Sequence, residues 1–120
     1  MKKRILVVDD DNMNLVRTKM ILGQEYNVLT AESGAEALAK LKEEQVDMVL
    51  LDIDMPEMNG IETFERMKSF ASGIPVIFLT ASGLEEDVVN AIRLGAVNYL
   101  KKPFRPQELI KRVSQELEEQ

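Results

Sequence analysis

Short apolar runs and amphipathic stretches alternate along this chain from one end to the other. Ile5-Leu6-Val7-Val8 and Met48-Val49-Leu50-Leu51 are continuous apolar runs, the pattern of strands covered on both faces in a parallel sheet. Pro75-Val76-Ile77-Phe78-Leu79 is a third, with proline tolerated at its first position. Tyr26–Thr30 and Val97–Leu100 are less continuously apolar and complete a set of five. Helical periodicity fills the gaps between them. Leu15, Thr18 and Leu22 share one face of a helix that begins near Asn12 and stops at Gly23. Ser33-Gly34-Ala35-Glu36 fits a capping box and opens a helix with Ala37, Leu38 and Leu41 inward, fading near Gln45. Asn59-Gly60-Ile61-Glu62 offers another cap-like start, followed by Ile61, Phe64 and Met67 at three-residue spacing. Ser82-Gly83-Leu84-Glu85 repeats the box for a fourth helix, using Val88, Ala91 and Ile92 and ending at Gly95. Pro106 suits the first turn of a fifth, which carries Leu109, Ile110, Val113 and Leu117.

Strand–helix units with short connections predict a parallel sheet with right-handed crossovers. The expected architecture is one α/β domain over residues 1–120. It is a doubly wound, five-stranded parallel sheet of order 2-1-3-4-5 with five helices on both faces. At 120 residues and 45% hydrophobic, the chain is long enough to bury a real core.

In open parallel sheets, ligands sit outside the carboxyl ends of the strands. Asp9-Asp10-Asp11 follow the first strand, Asp52 ends the third, Thr80 the fourth, and Lys102 follows the fifth. The second strand ends in Thr30-Ala31, with nothing reactive. In the order 2-1-3-4-5 the four reactive edges are neighbours and the empty one is flanking. Clustered carboxylates persist only with a compensating cation or a raised pKa. Asp9, Asp10 and Asp52 suit a hard divalent ion, Mg²⁺ first and Mn²⁺ as a substitute. Lys102 can neutralise phosphoryl oxygens, and Thr80 can donate its hydroxyl to the same group. Together these groups describe phosphoryl transfer to an aspartate, with Asp52 as the nucleophile.

Composition removes other chemistries. With no histidine there is no Ser-His or Cys-His triad and no zincin-type site. With no cysteine there is no disulfide framework or thiolate metal site. The net charge of −6 argues against direct nucleic-acid binding. The basic residues near the C-terminus are interleaved with Glu108, Glu116, Glu118 and Glu119, as on a solvated helix face. No apolar run approaches the roughly 18 residues of a membrane span. The expectation is a soluble, cytoplasmic protein without membrane contact.

These residues carry a resemblance. Val7-Val8-Asp9-Asp10, the run from Leu51 to Gly60, Leu79-Thr80-Ala81, Gly95-Ala96 to Tyr99, and Lys102-Pro103-Phe104 make the chain similar to receiver domains of two-component response regulators. The likeness extends over essentially the whole length and is chemotaxis-regulator-like, with a flavodoxin-like fold. It implies that Asp52 accepts a phosphoryl group from a sensor histidine kinase, a phosphotransfer protein or a small phosphodonor. It implies Mg²⁺ held by Asp10 and Asp52 side chains and the Asp54 backbone carbonyl, with Asp9 nearby through water. Thr80 and Tyr99 would form a switch pair, and Asp54 and Ser82 would tune the phosphorylation lifetime. Lys102-Pro103 would be a cis peptide that aims the amine back at the site. Phosphorylation would then bias a surface of the fourth helix, fifth strand and fifth helix, including Val88, Arg93, Tyr99, Lys101 and Arg105. That surface would act on an output domain or target protein, with a homodimer as one outcome.

On this reading the domain is not a turnover enzyme: it carries out its own phosphotransfer and autodephosphorylation. Asp11 matches no required role and reads as a helix cap. Subgroups that dimerise for DNA binding usually carry paired acids after Gly-Ala, where Val97-Asn98 stands here. Two alternatives share the chemistry. A haloacid-dehalogenase-like phosphatase also has Asp-x-Asp after a strand, as in Asp52-Ile53-Asp54, but wants its other acids C-terminal to it. A degenerate receiver would act only by docking and should have lost part of the quartet. A stand-alone regulator and an excised receiver remain equally open.

Overall fold

The computed structural model describes residues 2–81, 89–90 and 92–118. Five strands, β1 (Arg4–Val8), β2 (Asn27–Ala31), β3 (Met48–Asp52), β4 (Val76–Thr80) and β5 (Asn98–Lys101), form one parallel sheet of order β2-β1-β3-β4-β5. The helices between them are α1 (Asn12–Leu22), α2 (Gly34–Glu43) and α3 (Gly60–Met67), and a C-terminal helix runs over Pro106–Glu118. These four helices lie within the described residues. The expected fourth helix, with its Ser82 capping box, Val88 and Ala91, falls largely outside them. Its described end does close at Gly95, whose φ of 109° suits a residue without a Cβ.

The strand alternation sorts the core into two layers. Leu6, Val8, Val49, Leu51, Val76 and Phe78 pack toward α2 and α3, where Phe64 meets Phe78 edge-on at 5.4 Å. Ile5, Val7, Met48, Leu50, Ile77, Leu79 and Leu100 pack toward α1 and the C-terminal helix, through Leu15, Leu22, Leu109 and Val113. Burying each such side chain is worth about 1.5–3 kcal/mol. The central strands β3 and β4 are buried at every residue, which is why they read as unbroken apolar runs. The edges β2 and β5 are only partly covered.

Several local expectations need correction. Strands two, four and five each begin and end one residue later than the apolar pattern suggests. The capping box at Ser33 is half formed. Ser33 accepts the Glu36 N–H, but the Glu36 carboxylate reaches past Ser33 to the Glu32 N–H and also pairs with Lys40. The complete box sits at Asn59 and Glu62 instead. Ile92, expected to pack inward, is 46% exposed. Leu38, Ile61 and Ile110 are half-buried, and most of the other described inward positions agree. Leu15, Thr18, Leu22, Ala37, Leu41, Phe64, Met67, Leu109, Val113 and Leu117 are all buried. Asp11 caps α1 as expected, accepting the Met13 N–H at 2.9 Å.

Candidate functional site

Period-2 alternation places the reactive groups. Val7, Leu50 and Leu100 all point into the layer shared with α1 and the C-terminal helix. Two residues further along each chain come Asp9, Asp52 and Lys102. The same faces that bury apolar side chains therefore deliver two carboxylates and an ammonium at the carboxyl rim.

Register holds these three strands in step: Val7 lies opposite Leu50, Asp52 opposite Leu79, and Thr80 opposite Lys101. The backbone then ties the rim together. Lys102 N–H donates to the Thr80 carbonyl at 2.8 Å, and Ile53 N–H to the Leu79 carbonyl at 2.9 Å. The Lys102–Pro103 peptide is cis, as the resemblance to receiver domains implied.

Lys102 Nζ stands 2.6 Å from Asp9 Oδ2 and 3.4 Å from Asp52 Oδ1. Asp9 and Asp52 are buried, at 2% and 3% exposed, while Asp10 is exposed. Asp9 also accepts the Asp11 N–H at 2.9 Å, and Asp52 accepts the Asp54 N–H at 3.4 Å. Burial pushes the Asp52 carboxyl from 3.8 up to about 7. Lys102 opposes that rise, the Asp9 charge adds to it, and the Asp54 N–H lowers it slightly. Burial alone would lower the Lys102 pKa. Its hydrogen bond to Asp9 and the charges of Asp52 and Asp9 outweigh that and leave it raised. One cation thus serves two buried acids, and the charge is not balanced.

The donor set suits a hard cation. One carboxylate oxygen from each of Asp9, Asp10 and Asp52 lies within 4.8 Å of the others. Three oxygen donors, one of them in solvent, fit a divalent ion of the Mg²⁺ type that keeps part of its water. Lys102 already occupies much of Asp9's capacity, which leaves Asp10 and Asp52 with more room to ligate.

The remaining predicted positions divide clearly. Thr80 is buried at the end of β4, and register puts it on the sheet face that Phe78 and Tyr99 share. Tyr99 is 39% exposed, its carbonyl held by Arg112 at 2.9 Å. The Asp54 side chain is exposed beside the site. Ser82 lies outside the described residues.

Two features of the loop after β3 escaped the sequence reading. Glu57 adopts φ 66°, a left-handed turn that its residue type does not advertise. Gly60 N–H donates to the Ile53 carbonyl at 2.9 Å. A Cβ on Gly60 would lie 2.3 Å from the Asp52 carbonyl oxygen and 2.8 Å from Ile53 Cα. Those are backbone atoms, so the strand end itself would have to move. Gly60→Ala is expected to cost about 1–3 kcal/mol and to displace Asp52. Urea unfolding measures the first effect, and phosphorylation kinetics measure the second. Wild-type values for both would show that the loop yields without cost.

Comparison with known proteins decides the family. Residues 5–114 match the response regulator receiver domain. The chain belongs to that family. This receiver domain is 45% identical over 111 residues to the transcriptional regulatory protein CpxR of Klebsiella pneumoniae, covering 92% of the chain and 47% of that protein. It is 40% identical over 114 residues to the DNA-binding response regulator MtrA of Mycobacterium tuberculosis, covering 94% of the chain and 50% of the relative. The chain thus spans about half the length of the curated relatives it matches. A CheY-like receiver domain from Methanospirillum hungatei superposes with a TM-score of 0.94 at 36% identity, covering 99% and 96% of the two chains.

Receiver domains of response regulators are phosphorylated on an aspartate and thereby control an output. The first of these sequence relatives is named a transcriptional regulatory protein and the second a DNA-binding response regulator. Neither a phosphatase nor a degenerate receiver finds support, since the family matches and the acids and lysine converge in full. Among the described residues, no helix is long and apolar enough to cross a membrane.

Proposed function

We infer that Asp52 is the phosphoacceptor of this receiver domain. The observation that carries this is the placement of Lys102 Nζ between Asp9 and Asp52, with Asp10 completing the acid group. An Asp52 oxygen attacks the phosphorus of a phosphohistidine or acyl phosphate. The bond from phosphorus to the donor's nitrogen or oxygen breaks, and the donor leaves with that electron pair. Lys102 offers its ammonium to the phosphoryl oxygens, and Thr80 donates its hydroxyl to the same group. Asp10, Asp52, Asp9 and the Asp54 carbonyl would hold Mg²⁺ or Mn²⁺, which supplies positive charge against the incoming phosphoryl group. No residue outside the domain is needed for this transfer, and attack of water on the acyl phosphate then releases inorganic phosphate and restores the Asp52 carboxylate.

The donor is a sensor histidine kinase or a phosphotransfer protein, and the domain is cytoplasmic with it. Phosphorylation draws Thr80 toward the new oxygens and turns Tyr99 inward behind it. The readout surface comprises the exposed Arg93, Tyr99, Lys101 and Arg105. Its target is an output domain, a separate protein or a second copy of the chain, and this domain does not itself bind nucleic acid. Asp54, beside the site, and Ser82 adjust how long the phosphoryl group persists. The test is incubation with acetyl phosphate and Mg²⁺, followed by intact-mass measurement. One phosphoryl group should appear on the wild type and none on Asp52→Asn. A mass gain that survives Asp52→Asn would place the acceptor elsewhere.

A further inference from the structure

Arg17 sits on an exposed position of α1, yet its head group is committed to a residue 87 positions later. Arg17 Nη2 donates to the Phe104 carbonyl at 2.9 Å, and its guanidinium carbon lies 5.1 Å from the centroid of the Phe104 ring. Phe104 is buried at 6% exposure in the layer between α1 and the C-terminal helix. It is also two residues after Lys102.

The segment Lys102-Pro103-Phe104 is therefore held from three directions. The Thr80 carbonyl fixes the Lys102 N–H, Asp9 and Asp52 hold the Lys102 ammonium, and Arg17 pins the far end from outside. The first two contacts belong to the rim, and among the described residues Arg17 is the charged group that anchors the segment to a helix. Closure of the core does not require that group. Leu15 and Leu22 of α1 already join Phe104, Leu109 and Val113 in one apolar cluster. An apolar side chain at position 17 could cover the Phe104 ring equally well but could not hold its carbonyl.

We propose that Arg17 is a positioning residue for phosphoryl transfer, clamping the Lys102–Phe104 segment to α1 so that the ammonium stays between Asp9 and Asp52. The inference rests on Asp52 being the phosphoacceptor. Losing the clamp leaves all the reacting groups present but lets Lys102 drift from the oxygens it must neutralise. Small displacements of such groups are costly in rate.

The experiment measures phosphorylation of the full chain by acetyl phosphate with Mg²⁺, under single-turnover conditions, beside urea unfolding of each variant. Arg17→Leu should slow phosphorylation about fivefold to tenfold with its unfolding midpoint near wild type. Arg17→Lys, which keeps a charged donor, should recover to within about twofold. In a Lys102→Ala background, Arg17→Leu should change nothing further, because the residue it positions is gone. A wild-type rate for Arg17→Leu overturns the proposal. So does an equal slowing with and without Lys102. Arg17→Met, which also lacks a donor, carries the same comparison if Arg17→Leu does not fold. Failure of the wild type to be phosphorylated, or phosphorylation of Asp52→Asn, overturns the acceptor reading and this proposal with it. A phosphorylated wild type with an indifferent Arg17→Leu overturns this proposal alone.

Discussion

Lys102→Ala is expected to lose phosphorylation by about a hundredfold or more while keeping the fold. The lysine is the cation within 4 Å of both Asp9 and Asp52, and its side chain is only 16% exposed. Its removal acts twice. The developing charge on the phosphoryl oxygens loses its nearest counter-charge, and the two acids face each other uncompensated. Lys102 also holds the Asp52 pKa down, so without it the nucleophile spends more time protonated at neutral pH. Unfolding in urea at pH 8 should show a loss of about 3–5 kcal/mol, typical of breaking a buried pair from one side. That loss should shrink toward pH 5 as one acid takes up a proton. Mg²⁺ titration of the variant at pH 8 should still show binding, which separates loss of the lysine from collapse of the site. Wild-type phosphorylation rates in Lys102→Ala would refute a role for the ammonium.

Asp52 makes metal-free stability depend on pH in an unusual direction. Its folded pKa of about 7 lies above the ordinary 3.8, so between those values the native state holds a proton that the unfolded chain has released. Stability from this group is therefore fully present below about pH 4 and is lost as pH rises through 7. The full span, with the opposing effect of Lys102 already included, corresponds to about 4 kcal/mol. Asp52→Asn removes the titration. With a chelator present, the variant should match wild type near pH 4, pull ahead as pH rises toward 7, and exceed it by about 2–4 kcal/mol at pH 8. Adding Mg²⁺ should restore the wild type and do little for the variant. Equal stability of the two proteins at pH 8 would mean that Asp52 is not a strained carboxylate.

The sequence carried the fold well wherever burial is symmetric. β3 and β4 are covered on both faces, so their apolar runs could be read as strands directly. The edge strands are only partly covered, and there the pattern slipped by one residue, as it also did at β4, where the run opens on Pro75. The site was legible because each reactive residue sits at the end of a strand, where parity and position are fixed together. What could not be read was pairing. Nothing near Lys102 in the chain says that its shorter contact is with Asp9 rather than Asp52, a choice made by how three strand ends converge. Gly60 and Arg17 were missed for the same reason. One is required by a backbone approach of 2.3 Å, the other by a partner 87 residues away.

The ion pair between Asp9 and Lys102 joins the first strand end to the last, across 93 positions. A nascent chain that has made β1 and β3 but not yet β5 holds two acids and no lysine to settle them. It cannot complete the rim, and it has no ammonium to receive a phosphoryl group. With Asp52 as the phosphoacceptor, a chain that stops short of Lys102 is expected to take up a phosphoryl group far more slowly than the finished domain.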